Sequence, residues 1–553
     1  TSLASYGVNG AVTLVDPSNV RFRIDGPRAV NTVSFAVNNY GAPTVITDAA
    51  NQTTTLLRTV SGFPGLVNSL TNVLGFATTA IYDPRGRLTS SSQISSAGTT
   101  ATTGYTWDPK WDQLTRITSP EGDVVDFGIA AGNGNRVWQQ DGRGVTSRTN
   151  FGYTADNQVQ FVTLPLSNAQ ETVYDAKGNV YQQWSAQDIK QEYVNDLIGR
   201  PTTMRVSTGL NVGPPPNPDW SPFETTTITY SDRNRELTRI RSLSGESQTV
   251  TNSFDGEDNL TGTTRSWSPN PQSIPSQTTT SLFDNANRPY RQTEADGTYE
   301  QRSFDEAGNV TNLRTRRAHN IGMGYNALNR MTSRTVPAVS FGAAQYPTST
   351  AITPIHQAIQ GPYTYSRPAE GQVFTYTADG QIATATGLDA DVSRSYFPNG
   401  QMSGESLVIK TLARTGTPHT YTVTYTYDKN GRRKSVGVGP SSLFVGNVMG
   451  YNYSPTWGGL TSVTDIAGHS YAFNYNDTGV MTGITYPGGV SETLGYDGDW
   501  RLTSDLIGRS GSTAFPFFGS NTIRNFGVST RNARGQILAS NDAANTVAGY
   551  RSE

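Results

Sequence analysis

Polar and apolar positions alternate with a period of two along much of the chain. In TYTVTYTYD (420–428) and TTTITYSD (225–232), Thr occupies every second position, with Tyr, Val or Ile between. This pattern predicts half-buried strands of about seven residues. Turn signals separate them. An aromatic residue is followed by Asp or Asn, then by Gly, then by a basic or amide residue. Strong copies are YDPRGRLTS from Tyr82, YDAKGNVYQ from Tyr174, FDEAGNVTN from Phe304, YNALNRMTS from Tyr325 and YDKNGRRKS from Tyr427. Weaker copies begin at Tyr153, Phe283, Tyr376, Tyr396, Tyr475 and Tyr496, and two without the aromatic begin at Asp196 and Arg531.

The spacing turns these copies into a repeat. Phe283, Phe304 and Tyr325 stand 21 residues apart, and Tyr376 and Tyr396 stand 20 apart. A second Gly-containing turn falls about midway, as in ADGTYEQRSFD (295–305), PEGDVVDFG (120–128) and DGRGVTSRTNFGY (141–153). One period is therefore two strands and two turns. In each motif the Asp, as in Asp83, Asp175, Asp305 and Asp428, bonds its own backbone and starts the turn. Gly86, Gly178, Gly308 and Gly431 supply the positive φ that closes it. Tyr82, Tyr174, Phe304 and Tyr427 offer rings for stacking along the sheet, and Arg87 and Arg432 end the motif. Isolated hairpins are marginal in water, so the units must pair side by side. The fold class expected is all-β, one long continuous antiparallel sheet of hairpins.

At this point the chain resembles the RHS/YD-repeat family, the tyrosine–aspartate repeats of bacterial Rhs proteins, toxin-complex C-type subunits and animal teneurins. The resemblance covers roughly residues 80–540, with weaker echoes such as ITDAANQTTTLLRTV (46–60). It implies a sheet that spirals into a hollow shell or tube. The organisation expected is degenerate repeats and an assembly region over 1–80, the repeat sheet over 81–540, and a tail over 541–553. Four stretches break the rhythm: 211–222, 267–277, 336–370 and 437–459. They are expected to be surface loops, and Trp220, Trp267 and Trp457 mark them as the first places to seek a neighbour or a ligand.

Composition narrows the chemistry. The 553 residues contain no Cys, which removes disulfides, Cys metal sites and thiol nucleophiles, and which fits export. Gly (56), Pro (29) and Tyr (27) are what such hairpins require when copied along a chain. Lys and Arg (42) nearly balance Asp and Glu (44), which argues against nucleic acid as a partner. No apolar run reaches the roughly 18 residues of a membrane-spanning helix.

Four histidines, His319, His356, His419 and His469, stand apart and form no metal motif. No G-x-S-x-G elbow or phosphate-binding G-x-x-x-x-G-K-[ST] loop is present. The acidic residues belong mostly to turns, and DGEDN (255–259) lacks the regular EF-hand pattern. No catalytic, cofactor or metal residues are therefore assigned. Triplets N-x-S/T occur at Asn51, Asn259, Asn309, Asn452 and Asn476.

The chain end, TRNARGQILASNDAANTVAGYRSE, has no D-P-x-G element of the kind found in the self-cleaving core of toxin-bearing relatives. The first expectation is thus a non-enzymatic structural protein, an exported protomer of an extracellular or cell-surface filament or tube. It would self-associate through edge strands near 1–40 and 520–553. The alternative is the shell of an Rhs or toxin-complex cage around a toxin. A third reading is a surface adhesin with glycans as partners, its Tyr and Trp faces stacking on sugar rings.

Overall fold

In the computed structural model, the described residues are 12–14, 21–25, 32–166, 169–185, 189–208, 224–243, 245–270, 273–341, 365–410, 418–439, 448–498, 500–509, 522–531 and 537–542. They are nearly all strand and turn, and the two helical turns, Gly144–Ser147 and Pro487–Gly489, are short 3₁₀ segments. All but two of the strands belong to one sheet. Among the described residues the strands pair antiparallel with their neighbours in the sheet, as for Ala169–Tyr174 with Val180–Trp184 and then Ile189–Asn195. The exception is an inserted hairpin, Val339–Phe341 with Tyr365–Arg367, which the sheet passes by pairing Met331–Val336 directly with Glu370–Tyr376. By mutual proximity the chain divides into two units. One holds residues 1–79 and 279–423, the other 80–278 and 424–553.

Successive hairpins give the sheet two kinds of edge. Turns that follow a motif aromatic, such as those opened by Asp83, Asp175, Asp305 and Asp428, join strand ends on one edge, the motif rim. The midway turns, such as those opened by Ser119 and Asp465, join the opposite ends, the plain rim. The three longest connections, 209–223, 337–369 and 510–521, join strands on the plain rim, whereas 58–68 joins Thr53–Leu57 to Ser69–Thr71 on the motif rim. A β-bulge sits in each hairpin beside the motif aromatic, at Tyr174, Phe304, Tyr325 and Tyr496, and adds local twist there.

The alternation seen in the sequence sorts side chains onto two faces. In Glu224–Tyr230 the residues Glu224, Thr226 and Ile228 are buried while Thr227 and Thr229 are exposed. The exposed face is a lattice of hydroxyls, with Thr229 against Thr238 at 2.6 Å, Thr375 against Thr384 at 2.6 Å and Thr106 against Thr115 at 3.0 Å. The covered face carries rings and guanidiniums. Among the described residues only Ala101 and Ile228 are fully buried hydrophobic side chains. Stability must therefore come from neighbour-to-neighbour coupling along the repeat.

The stretch 437–459 differs from the expected loop. It contains the strand Val448–Tyr453 and a repeat-type turn from Ser454 to Gly459. Trp267 likewise lies within the strand Leu260–Ser268. Trp220 falls outside the described residues, as do the ends of the terminal stretches expected to self-associate.

Candidate interaction site: a seam between distant turns

The site is built from the motif turn. In the turn opened by Asp428, Oδ1 accepts the Arg432 N–H at 2.8 Å and Oδ2 accepts Arg432 Nε at 2.6 Å. Asp83 holds Arg87 in the same way, at 3.0 and 2.7 Å. Asp175 holds Asn179, and Asp305 holds Asn309. One carboxylate thus fixes both the backbone and the fifth side chain of its turn. Gly86, Gly178, Gly308 and Gly431 have φ between 80 and 86°, as the motif requires. Asn157, Asn287 and Asn329 take that slot in the weaker copies, since Asn tolerates the left-handed region. The bond from Arg87 is the main cause that lowers the Asp83 carboxyl below its ordinary range, and Arg288 does the same to Asp284.

The fifth residue also reaches the next turn. Arg432 donates to the Gly458 carbonyl at 2.9 Å, Gln158 to Gly178 at 2.9 Å and Arg288 to Asp305 at 3.3 Å. Its guanidinium lies over the next motif aromatic: Arg432 over Tyr453, Arg288 over Phe304, Arg200 over Tyr230 and Arg330 over Tyr376, at 4.4 to 4.9 Å from the ring centre. Rings were expected to stack on one another, yet here cations cover them. The tyrosine hydroxyls donate backward to the carbonyl just past the preceding turn. Tyr174 bonds Val159 at 2.7 Å, Tyr325 bonds Val310 at 2.9 Å and Tyr496 bonds Met481 at 2.9 Å. Trp107 and Asn195 make the same bond where Tyr is replaced.

Three plain-rim turns, near 95–99, 119–123 and 141–148, lie against three motif-rim turns, near 428–432, 454–459 and 476–480, beginning with the Ser96 hydroxyl on the Tyr427 carbonyl at 3.4 Å. Both stretches lie in the second unit. Glu121 N–H donates to Asn430 Oδ1 at 3.0 Å, and Lys429 N–H donates to Glu121 Oε1 at 2.6 Å. Asn430 Nδ2 donates to Asp123 Oδ1 at 2.6 Å, and Arg432 lies 3.6 Å from the same oxygen. Val124 N–H points to the Thr456 carbonyl at 3.4 Å. Further along, Arg143 donates to the Asn476 carbonyl at 2.8 Å and covers Trp457 at 4.4 Å, while Trp457 meets Tyr475 edge-on at 5.2 Å.

Arg143 is aimed by Asp141, which it contacts at 2.6 Å. Burial pushes the Asp141 carboxyl up, but bonds from Arg143 and Ser147 outweigh this and leave it below its ordinary range. Gly142 lies so close to the Thr456 carbonyl that a Cβ would stand 1.7 Å from its oxygen. The only sequence signal at this seam was the marked Trp457; DGRG (141–144) read as an ordinary midway turn. Glu121, Asn430 and Asn476 carried no signal of their own.

A cleft of about 410 Å³ opens on the seam, lined by Glu121, Lys429, Arg432, Lys434, Tyr451 and Tyr453 among others. Among the described residues no three His, Asp or Glu side chains gather so as to hold a metal ion. The His469 ring stands beside Asp465 at 3.1 Å, in the fifth position of its turn. Asp255 of the DGEDN turn binds its own backbone and Asn259. No helix of the described residues is long and apolar enough to cross a membrane.

Comparison with known proteins adds the following. No protein-family model matches the chain, and no curated protein does. Among solved structures it is similar to the TcdB2-TccC3 complex, at 13% identity over 96% of this chain and 35% of that one, with a TM-score of 0.33. It is similar to the Photorhabdus luminescens Tc holotoxin pore, at 13% identity over 94% of this chain and 32% of that one, TM-score 0.30. A porin-like protein from Bacteroides uniformis matches 46% of this chain and 94% of its own, at 18% identity and TM-score 0.15. The chain spans about a third of the length of the toxin-complex chains. Likeness at these scores bears on neither activity nor partners.

Proposed function

We propose that this chain is a non-enzymatic structural protein, a stretch of wall in a shell of the Rhs and toxin-complex kind. The observation that carries this reading is the seam. Turns some 310 residues apart in sequence, such as those of Glu121 and Asn430, are locked by reciprocal bonds. A sheet that rests rim on rim can extend as a wall wider than one strand length. A flat ribbon has no use for such a lock. The turn acids are consumed by their own backbones, which leaves them a structural role and supports the absence of catalysis. Export to the cell exterior is part of the same proposal, in keeping with the absence of Cys.

Cryo-electron microscopy of the purified chain tests this. The expected result is a sheet that encloses a lumen, with the turns of Asp123 and Asp428 adjoining in the map. A sheet with both faces open to solvent along its whole length overturns it.

A further inference from the structure

The seam is a rule of recognition, plain rim onto motif rim, and it uses only part of each rim. In the second unit the plain rim of the earlier stretch lies on the motif rim of the later one. On the motif rim of the earlier stretch and at the described turns of the later stretch's plain rim, tip residues are exposed. At the docked motif turn, the two tip positions after Asp428 are the ones that make contact: Lys429 through its N–H and Asn430 through its amide. The corresponding tip residues after Asp196 are Leu197 and Ile198.

Those two side chains are 88% and 71% exposed, the first being the most exposed large hydrophobic residue described. Other motif turns hold Pro84 and Arg85, Ala176 and Lys177, or Glu306 and Ala307 at these positions. Two large aliphatics on a protruding turn, at the positions that dock elsewhere in the same unit, mark a contact surface. The exposed plain rim of the later stretch has uncharged tips to meet it. Ala467 and Gly468 are exposed, as are Gly488 and Gly489 beside Pro487.

We propose that the Leu197–Ile198 turn docks onto the plain rim of a second copy of this chain, motif rim on plain rim as in the seam, with apolar tips in place of the polar contacts made by Lys429 and Asn430. The contact is heterologous, so a copy docked through one rim keeps the other kind free and the assembly extends head to tail. It uses the tips of turns, not the terminal strands. It depends on the seam geometry and not on the shell reading, since an open sheet with the same rims would stack equally.

Sedimentation velocity across a range of concentrations tests it, using the full chain, Leu197→Asp on the motif rim and Ala467→Asp on the plain rim. Circular dichroism and melting curves check that each variant is folded, and Ile198→Ser is the milder second variant. The wild type is expected to grow with concentration, and each variant alone to remain monomeric. A mixture of the two variants is expected to form one-to-one dimers and nothing larger, because each retains the rim the other lacks. A wild type that stays monomeric throughout leaves the tips to some other occupant and overturns the proposal. So does a Leu197→Asp chain that assembles like the wild type, or a mixture that does not pair. Failure here leaves the lumen seen by microscopy unaffected, so the two proposals fall separately.

Discussion

Arg432 lies 4.6 Å from the centre of the Tyr453 ring, and the hydroxyl of that ring donates at 2.8 Å to the carbonyl of Arg433. One residue of a turn and the next aromatic thus hold each other from both ends. Arg432→Ala is expected to cost about 1–3 kcal/mol through the lost stacking and charged hydrogen bonds. Arg432→Lys should recover little, because a point charge cannot serve Asp428, Gly458 and Tyr453 together. Urea denaturation, with hydrogen exchange over residues 425–465, measures both. Equal stability of the Lys variant and the wild type would contradict the coupling.

Tyr174→Phe removes one hydroxyl and leaves the ring in place. The Val159 carbonyl loses its 2.7 Å donor. The expected loss is about 1 kcal/mol. Hydrogen exchange should quicken in Val159–Thr163 and Ala169–Tyr174 and stay unchanged several hairpins away. A uniform change along the chain would mean that the repeats do not couple by nearest neighbours.

Trp500 occupies the slot that other motif turns give to Gly, with φ of 63°. A bulky residue in the left-handed region costs about 1–2 kcal/mol. Trp500→Gly should therefore stabilise the chain, by somewhat less than that because the unfolded state also gains freedom. The converse change, Gly308→Val at φ of 86°, should destabilise its hairpin and the neighbours. Melting temperatures of the two variants should move in opposite directions, and movement in one direction would refute the turn assignment.

Gly142→Ala places a methyl group against the Thr456 carbonyl. The turn must shift, which parts Arg143 from Asn476 and Trp457. Limited proteolysis should then cut near 141–148 and 454–459 faster than in the wild type, while cleavage elsewhere stays the same. An unchanged pattern would show that the seam does not hold these turns.

The turn acids set the response to pH. Asp83 and Asp284 are held down chiefly by their arginines, and Asp175 and Asp255 by Asn179 and Asn259. Each folded-state value lies below the unfolded one, near 3.9. The stabilisation is therefore complete above that value and is lost as pH falls from it through the folded values. Melting temperature should stay level from neutral pH to about 5 and fall steeply below 4. A melting temperature that holds steady down to pH 2 would rule the turns out as the acid-sensitive element.

The hairpins, their turns and the place of Gly308 were legible in the sequence, because each depends on residues within one period. Arg432 could be read as the end of a motif, though not as the cover of Tyr453, because that contact joins two periods. The seam lay further from view. Glu121 and Asn430 are ordinary turn residues, and only the folded path of the sheet brings them together. Gly142 read as an ordinary turn glycine, because its reason, the Thr456 carbonyl, lies more than 300 residues away. The stretch 437–459 looked like a break because Gly and Ser hide a strand whose alternation is short.

The three longest connections leave from the plain rim, whereas the coupling of each arginine to the next aromatic runs along the motif rim. Arg330 reaches Tyr376 across the inserted hairpin as readily as Arg200 reaches Tyr230. Inserted domains, affinity tags or fluorescent reporters can thus be grafted at the plain rim between residues 337 and 369 without interrupting that coupling. A graft of the same size at Asp175–Asn179 would sever it. Most of the room for insertion therefore lies along one edge, and that edge is where an engineer or an evolving lineage can experiment.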